Sequence, residues 1–451
     1  MSVSIRAAAT ILAMTALLSG CASYHAVPLA TAVAPADAQL SVLAAKIDRP
    51  FLKPQTIDLS APLTPNALAV IAVLENPDLK ALRTKASVVD AQAFAARLLP
   101  DPTAQVGTDK VLSGPDGFMA LAGQLGFDLS MLRTRAAQRA KNTALASQVR
   151  ADIAWAEWQT ACNARLQGAR VVALRAQLPL AQASAAATQQ LYDHAARAAD
   201  RGDIARGDLD GKRLAALDAA NVLRSLERDL AAARLELNRM LGLAPEAMLT
   251  LGAAEAGVPL PQNDQLVTHA LEQRLDLQAL RKGYDAAEAD ARVAVIQQFP
   301  NLSLNLNSAR DTANNKTIGS QIGFTLPVWN RNRGGFAIAN ATREQLHAEY
   351  DARLFQTRAD IAAAISALGV LARQRADLNA QMPALSRSAD AANRAAARGD
   401  LAHAIAETAL QTLRDRKFAL LQLDQAAAEQ LIALELLSGG PRATWTEGLT
   451  Q

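Results

Sequence analysis

The sequence contains few aromatic residues and few cysteines. Phe, Trp and Tyr make up 4% of the 451 residues, and the cysteines are Cys21 and Cys162. A large globular core normally uses more aromatic side chains, and two cysteines provide no disulfide framework. Alanine is abundant instead, in charge-studded segments with Leu at helical spacing. This composition favours long, close-packed helices, on which Cys162 is expected to be a small packed residue.

The chain also lacks the residue patterns of catalytic, metal and nucleic-acid sites. Lys and Arg number 46 against 43 Asp and Glu, for a net charge of +3, and no basic stretch carries interleaved aromatics. The five histidines are scattered, and no His, Cys, Asp and Glu cluster has metal-ligand spacing. No phosphate loop or nucleophile elbow occurs. The sequence therefore predicts a protein that is not an enzyme, has no cofactor and does not bind nucleic acid.

The N-terminus has the pattern of a secretory leader. Arg6 precedes an apolar run over residues 7–18, which small residues and Cys21 follow. This pattern predicts a signal peptide over residues 1–20, because the apolar run is too short to span a membrane as a helix. LSGC (18–21) resembles a bacterial lipobox, which implies a lipidated Cys21 at the start of the mature chain and an outer-membrane destination. The alternative is an ordinary signal peptide with a chance cysteine.

The rest of the chain repeats one arrangement after about 197 residues. RGDIA (201–205) corresponds to RGDLA (398–402), and GFDL (126–129) corresponds to GFTL (323–326). Shared landmarks with low identity between them suggest an old duplication of a supersecondary unit. The resulting division is a tether at 21–63, a first repeat at 64–250, a linker at 251–263, a second repeat at 264–440 and a tail at 441–451.

Each repeat is predicted to open with a helix and a β-hairpin. The helices run from about Thr64 to Leu98 and from about Asp264 to Gln298, where prolines follow. Alternating apolar and polar residues then predict hairpins at about 102–130 and 301–329. Strands of about 10 residues with one apolar face have the length of transmembrane β-strands. A hairpin packed against helices in a soluble fold is the alternative.

A helical stretch of about 65 residues follows each hairpin, at roughly 132–197 and 333–394, and could reach about 100 Å. Pro179 and Pro383 are expected to kink or break these stretches. RGGF (333–336) opens the second stretch, and we interpret it as the bend between strand and helix. After each stretch an Arg-Gly-Asp turn leads into a return helix. Leu and Ala at heptad spacing on the return helices predict a coiled-coil-like seam, at positions 216, 223, 230 and 237 and at 413, 420, 427 and 434.

Four strands cannot close a barrel, and lipid does not tolerate an open sheet edge. If the hairpins enter a membrane, several chains must therefore combine. Three chains of four strands would give a barrel of about twelve strands with a hollow interior. The long helices would then extend from the barrel as a tube on the periplasmic side.

These features together resemble the TolC family of outer-membrane efflux and secretion channels. The resemblance covers roughly residues 64–440 and includes FPNLSL (299–304) and GFTLPVWNRNRG (323–334). It implies a mainly α fold with a membrane β part, in which a trimeric 12-stranded β-barrel, four strands per chain, continues as an α-helical periplasmic coiled-coil tunnel. It also implies a lipid-anchored passive conduit of a tripartite efflux pump in the bacterial outer membrane. A homotrimer, a periplasmic adaptor protein and, indirectly, an inner-membrane transporter are the implied partners.

The resemblance implies roles for residues at and near the two turns. The tips that meet the adaptor would be Arg201, Gly202 and Asp203 in the first repeat and Arg398, Gly399 and Asp400 in the second. Acidic residues just after the tip often face the periplasmic constriction in this family, and Asp208 has that spacing. The second repeat has Ile405 at the equivalent position, with Glu407 nearby, so Asp208 is equally interpreted as a solvated carboxylate on a helix surface.

Three other functions remain open from the sequence. Within the channel class, the chain could be the exit duct of a type I protein secretion system. From other classes, it could be a lipid-anchored periplasmic coiled-coil scaffold or a helical periplasmic binding protein. A binding protein would need a ligand pocket, for which the alanine-rich seams offer little aromatic lining.

Overall fold

The computed structural model describes residues 24–29, 44–252 and 262–449. It divides the chain into two compact units, Met1–Ala36 and Asp37–Gln451, and the elements below all belong to the second. The signal peptide, Cys21 and most of the predicted linker at 251–263 lie outside the described residues.

Both repeats contain the predicted order of helix, hairpin, long helix and return helix. The first repeat contains α1 (Pro65–Glu75), α2 (Pro77–Ala95), β1 (Thr103–Lys110), β2 (Met119–Asp128), α3 (Ser130–Asp200) and α4 (Arg206–Met240). The second contains α5 (Asn263–Gln273), α6 (Leu275–Ile296), β3 (Leu302–Arg310), β4 (Lys316–Phe324), α7 (Arg333–Ala397) and α8 (His403–Ser438). A 3₁₀ helix, Arg442–Leu449, follows α8.

The helix before each hairpin is divided in two, and the prediction of one continuous helix is wrong in both repeats. Asn76, with φ −56° and ψ 122°, separates α1 from α2. Pro77 accounts for this break, because a proline drives the preceding residue out of the helical region. Arg274, with φ −63° and ψ 121°, separates α5 from α6. Leu275, not proline, follows Arg274, so this second break does not have the local cause found in the first repeat.

The long helices continue through their prolines. α3 has 71 residues and contains Pro179, and α7 has 65 residues and contains Pro383. At 1.5 Å per residue these helices are about 105 Å and about 100 Å long. Each proline removes one backbone hydrogen bond, but α3 also packs along α4, α6 and α8, and α7 packs along α8. Neither proline therefore breaks its helix, and of the two expected outcomes only a kink remains a prediction.

The four strands form one antiparallel sheet in the order β1-β2-β3-β4. β2 pairs with β3, so the hairpins of the two repeats join directly. A polar turn at residues 311–315 joins β3 to β4. β4 ends at Phe324, five residues before the predicted end of the hairpin at about 329.

The largest apolar core lies where α1, α3 and α4 meet. Its members include Trp158, which is fully buried, and Cys162, which is 2% exposed. The prediction that Cys162 is a packed residue is thus confirmed, and burial raises the pKa of its thiol. The predicted seams are also found on the return helices. Ala216, Leu230, Leu237, Leu413 and Leu434 are buried, and the other three positions are half-buried.

Candidate functional site: the hairpin wall, the helical tips and the hub between them

One face of the four-stranded sheet is apolar and exposed. Val106 on β1 is 79% exposed, Ile318 on β4 is 91% exposed, and Leu306 on β3 is also exposed. Because partners across a ladder share a face, Leu125 lies on the same side as Leu306. A hairpin packed against helices in a soluble fold would bury these side chains, so that alternative is contradicted.

The opposite face of the sheet is polar. Gln105, Gln124 and Asn307 form one cross-strand row, and Asn305 and Gln321 are paired in the next row. Apolar residues outside and polar residues inside are the alternation that a water-filled transmembrane β-barrel requires.

β1 and β4 are the outer strands of the sheet, and in the described chain each has a partner on one side only. Their unpaired backbone groups form two antiparallel edges. Edges of this kind pair with another chain unless they are covered. The single chain is therefore an open segment of wall that a copy of itself could extend.

Arg133 links the sheet to the helices at the end of the sheet opposite the two hairpin turns. Arg133, in the first turn of α3, donates hydrogen bonds to the carbonyls of Pro300 (2.7 Å) and Ile296 (2.7 Å) of the other repeat. Its guanidinium also lies over the Phe299 ring, 5.6 Å from the centroid. The junction thus joins the strand ends of the two repeats.

The bend before α7 lies slightly earlier than we interpreted it from RGGF (333–336). Arg331 and Asn332 adopt left-handed conformations, with φ of 46° and 49°, and α7 begins at Arg333. Asn tolerates this conformation better than most residues. The Asn332 amide donates to the carbonyl of Ala294 on α6 at 3.0 Å. Gly335 is needed for this arrangement, because a Cβ there would lie 2.5 Å from Oδ1 of Asn332.

The first predicted tip is a tight turn between α3 and α4. Gly202 has φ +79°, and its N–H donates to the carbonyl of Ala199, while that of Asp203 donates to the carbonyl of Ala198, both at 2.9 Å. This is the Schellman arrangement, which uses glycine in the left-handed region. Arg201 Nε donates to Asp203 Oδ2 at 2.8 Å across the turn.

The second tip repeats the first in nearly every contact. Gly399 has φ +81°, and the N–H of Asp400 donates to the carbonyl of Ala395 at 2.9 Å. Arg398 Nε donates to Asp400 Oδ2 at 2.9 Å. A Cβ at Gly202 or Gly399 would meet nothing within 4 Å, so the backbone conformation, and not lack of space, requires glycine at both tips.

The candidate gate residue Asp208 lies in the first turn of α4 and is exposed. Ile405 occupies the same place on α8: the N–H of Asp208 donates to Ala205 O and that of Ile405 to Ala402 O. Glu407 is half-buried and forms an ion pair with Arg414 on the same helix. Glu407 is thus engaged within its own helix, and Asp208 has no acidic counterpart at the equivalent place in the second repeat.

The first helix break contacts the end of α4 through Asn76, Met240 and Gly242. We call this contact the hub. Sequence reasoning missed it. The Asn76 side chain accepts from the N–H of Leu79 and donates to the carbonyl of Met240, both at 3.0 Å. Gly242, with φ +64°, follows α4, and a Cβ there would lie 2.5 Å from the carbonyl oxygen of Glu75. The turn after the return helix therefore packs directly against the break.

The second repeat has an equivalent hub, in which an arginine paired with an aspartate takes the place of the asparagine amide. Arg274 donates to the Asp276 carboxylate at 3.0 and 2.7 Å and to the carbonyl of Leu437 at 3.3 Å. Gly439, with φ +81°, packs so closely that a Cβ would lie 3.0 Å from the backbone of Arg274. The correspondence of NPDLKALR (76–83) with RLDLQALR (274–281) was the one available signal, since it aligns Asn76 with Arg274.

A buried carboxylate ties the segment before α1 to α3. Glu157, on α3, is 1% exposed and forms ion pairs with Arg49 and with Arg83 of α2. Arg83 also donates to the carbonyl of Val73 on α1 at 2.5 Å. Burial raises the pKa of Glu157, but the hydrogen bonds from the two arginines outweigh it and hold that pKa below its ordinary value.

A cavity of about 260 Å³ lies between α1, α3 and α8. It is lined mainly by aliphatic side chains such as Leu68, Val172 and Ile432, with no aromatic residue among the described lining. Its charged residues include Arg165 and Glu435, which pair with each other at 3.0 Å. The charged side chains of the lining are thus paired within the chain.

Within the described ranges, no group of three His, Cys, Asp or Glu side chains is placed to hold a metal ion.

Comparison with known proteins agrees with this architecture. Residues 266–440 match the family model described as outer membrane efflux protein. The cobalt-zinc-cadmium resistance protein CzcC of Cupriavidus metallidurans is 26% identical over 300 residues, which span 65% of this chain and 70% of CzcC.

Two solved structures share the fold over most of their length. The outer-membrane channel OprN superimposes with a TM-score of 0.69 and 16% identity, covering 93% of this chain and 99% of OprN. The outer membrane protein VceC of Vibrio cholerae gives a TM-score of 0.66 and 19% identity, covering 83% of this chain and 96% of VceC. The chain therefore has the fold of outer-membrane channels, and its second repeat is an outer membrane efflux protein domain.

Proposed function

We propose that this protein is the outer-membrane channel subunit of a tripartite efflux pump, a passive conduit across the periplasm and the outer membrane. The observation that carries the proposal is a single sheet with an exposed apolar face, joined to helices of 71 and 65 residues. Lipid solvates such a face, whereas water does not. The efflux protein domain at residues 266–440 supports the same function.

Closure of the sheet requires further copies of the chain. β1 and β4 each leave one edge unpaired in the described chain, and an open edge in lipid leaves backbone groups without hydrogen bonds. A homotrimer pairs β4 of one chain with β1 of the next and forms a 12-stranded barrel. The long helices, two pairs from each chain, then continue the barrel as a periplasmic tunnel.

The two ends of the molecule have separate roles in this proposal. Cys21 carries the lipid that anchors the mature chain in the outer membrane. At the far ends of the long helices, the tips around Gly202 and Gly399 dock a periplasmic adaptor, which connects the channel to an inner-membrane transporter. Asp208, exposed just after the first tip, faces the periplasmic constriction. One docking turn belongs to the repeat at 64–250, and the other belongs to the repeat at 264–440.

The named function of CzcC directs the choice of substrate to test. That protein is named for resistance to cobalt, zinc and cadmium, so divalent transition-metal ions are the first substrate class to examine for this chain. Organic drugs and solvents form the second class.

The test is export in cells. A strain that lacks this protein but keeps its adaptor and transporter should accumulate Co²⁺, Zn²⁺ or Cd²⁺, or an organic dye, and the wild-type chain should restore export. Purified protein in planar bilayers should also form pores. A lipidated protein that neither restores export nor forms pores would favour a periplasmic scaffold, and restored secretion of a protein alone would favour a type I secretion duct.

A further inference from the structure

We propose that the inner face of the barrel wall is electrically neutral between the row of Asp109 and the row of Asp128, and that this middle section does not discriminate between cations and anions. This inference rests on the proposed channel function. It places any charge preference of the channel at the ends of the barrel or beyond them.

The inner face carries amide and hydroxyl side chains and small residues. Its central row consists of Gln105, Gln124, Asn307 and Gly319, which are successive partners across the four strands. The next row consists of Thr103, Gly126, Asn305 and Gln321. Three chains would contribute nine amide side chains to the central row and six to the next, and none of these groups is charged.

Glycines let these polar side chains lie flat against the wall. A Cβ at Gly126 would lie 2.6 Å from Oγ1 of Thr103 and 2.8 Å from Oδ1 of Asn305, so both side chains extend over the glycine. Asn307 extends over Gly319 in the same way, at 3.1 Å. Side chains that lie along the wall leave the interior wider than side chains that point to its centre.

The charged residues of the strands all lie within two residues of a strand end. Asp109 and Asp128 are on the inner face. The basic residues are on the apolar outer face, next to the hairpin turns: Lys110, Arg310 and Lys316. Asp109 pairs with Ala120, so each aspartate is four residues along β2 from the central row. At 3.3 Å per residue that separation is about 13 Å, which exceeds the screening length of about 8 Å at physiological salt.

The test uses single cysteines on neighbouring residues of β3. Asn307→Cys places a thiol on the inner face, and Ser308→Cys places one on the lipid face as the matched control. Native Cys162 is buried and does not interfere. Each full-length variant, in intact outer membranes, is treated with membrane-impermeant methanethiosulfonates that carry either an ammonium or a sulfonate group. The measured quantity is the ratio of the two reaction rates, relative to the same ratio for a free thiol.

We expect Asn307→Cys to react and Ser308→Cys to resist both reagents, with a relative rate ratio within about threefold of one at position 307. A charged wall would instead raise the local concentration of one reagent by about tenfold or more, and a ratio of that size would overturn the neutral interior while leaving the channel intact. Equal reaction at both positions, or reaction at neither, would contradict the wall and the proposed function with it.

A second variant checks that the ratio reports the wall. Gln124→Glu, added to Asn307→Cys, puts a carboxylate beside the thiol in the same row and should shift the ratio severalfold toward the ammonium reagent. An unchanged ratio would contradict the assignment of Gln124 and Asn307 to one water-filled row.

Discussion

Glu157 shows how one buried residue holds together three separate parts of the chain. Its carboxylate accepts hydrogen bonds from Arg49 (3.0 Å) and Arg83 (2.9 and 2.7 Å), which bind it from the segment before α1 and from α2. An unpaired charge at this place would be costly because Glu157 itself is buried. The ion pairs therefore fix the N-terminal segment and α2 on the surface of α3.

We expect Glu157→Gln to destabilise the protein by roughly 2 kcal/mol at pH 7, between the values typical of exposed and buried ion pairs. The folded-state pKa of Glu157 lies below its ordinary value of 4.5. The stabilisation is therefore complete above that value and is lost as the pH falls through the folded pKa. Thermal unfolding followed by circular dichroism should show a lower midpoint for the variant at pH 7 and a smaller difference below pH 4.

The matched control for this prediction is Glu236→Gln. Glu236 pairs with Arg239 at 2.8 Å on α4, but both side chains are exposed, so the variant should change stability by about 0.5 kcal/mol or less. An effect of Glu157→Gln no larger than this would show that the buried clamp does not stabilise the fold.

Cys21 is expected to carry lipid and to be the first residue of the mature chain. Mass spectrometry of the mature protein should find a diacylated or triacylated Cys21, and Cys21→Ser should lose the modification and remain unanchored by lipid. A mature N-terminus with an unmodified residue elsewhere in 18–35 would reject the lipobox interpretation.

Sequence patterns predicted single residues well where local chemistry alone decides them. The glycines of the Arg-Gly-Asp turns are examples, because a tight turn between helices needs φ above zero. Glu157 could not be predicted in this way. Its partners Arg49 and Arg83 are 108 and 74 residues away, and only the folded chain shows that these three charges meet.

At the scale of single elements, one of the two helix breaks before the hairpins could be predicted from local chemistry and the other could not. The break at Asn76 has a local cause in Pro77, so the sequence alone is sufficient to predict it. The break at Arg274 has no such cause, since its side chain is held by Asp276 and by the carbonyl of Leu437 at the end of α8. The long-range part of this arrangement is the bond to Leu437 and the close packing of Gly439 against the Arg274 backbone, and no local pattern predicts either contact.

The two tips are expected to be required for export but not for assembly. Val in the left-handed conformation costs about 1–2 kcal/mol at each turn, so Gly202→Val/Gly399→Val should distort both docking turns. The tips lie about 100 Å of helix from the barrel. Export should therefore fall to the level of the strain without the channel, while the amount of trimer in the outer membrane stays near that of wild type.

The control for the tips is Gly202→Asn/Gly399→Asn. Asn tolerates the left-handed region, and a Cβ has open space at both positions, so this variant should retain most of the export. Normal export by the valine variant, at a normal trimer level, would show that these turns do not dock the adaptor.

At the scale of the whole molecule, the repeat and the strand count were the decisive sequence features. They predicted one hairpin per repeat, and the structure joins both hairpins into one sheet through β2 and β3. The number of strands per chain then leads to oligomerisation, because an open wall cannot remain in lipid. The heptad seams on α4 and α8 could be predicted for the same reason as the strands, since both depend on a short, regular spacing of apolar residues.

The measurement that tests the account most directly is the mass of the full-length protein in detergent, by mass photometry. The particle should have three times the mass of the mature chain, and the same preparation should form pores in planar bilayers. A stable, water-soluble monomer, with the apolar faces of its hairpins exposed to solvent and no pore activity, would contradict the central claim that this chain is one third of an outer-membrane channel.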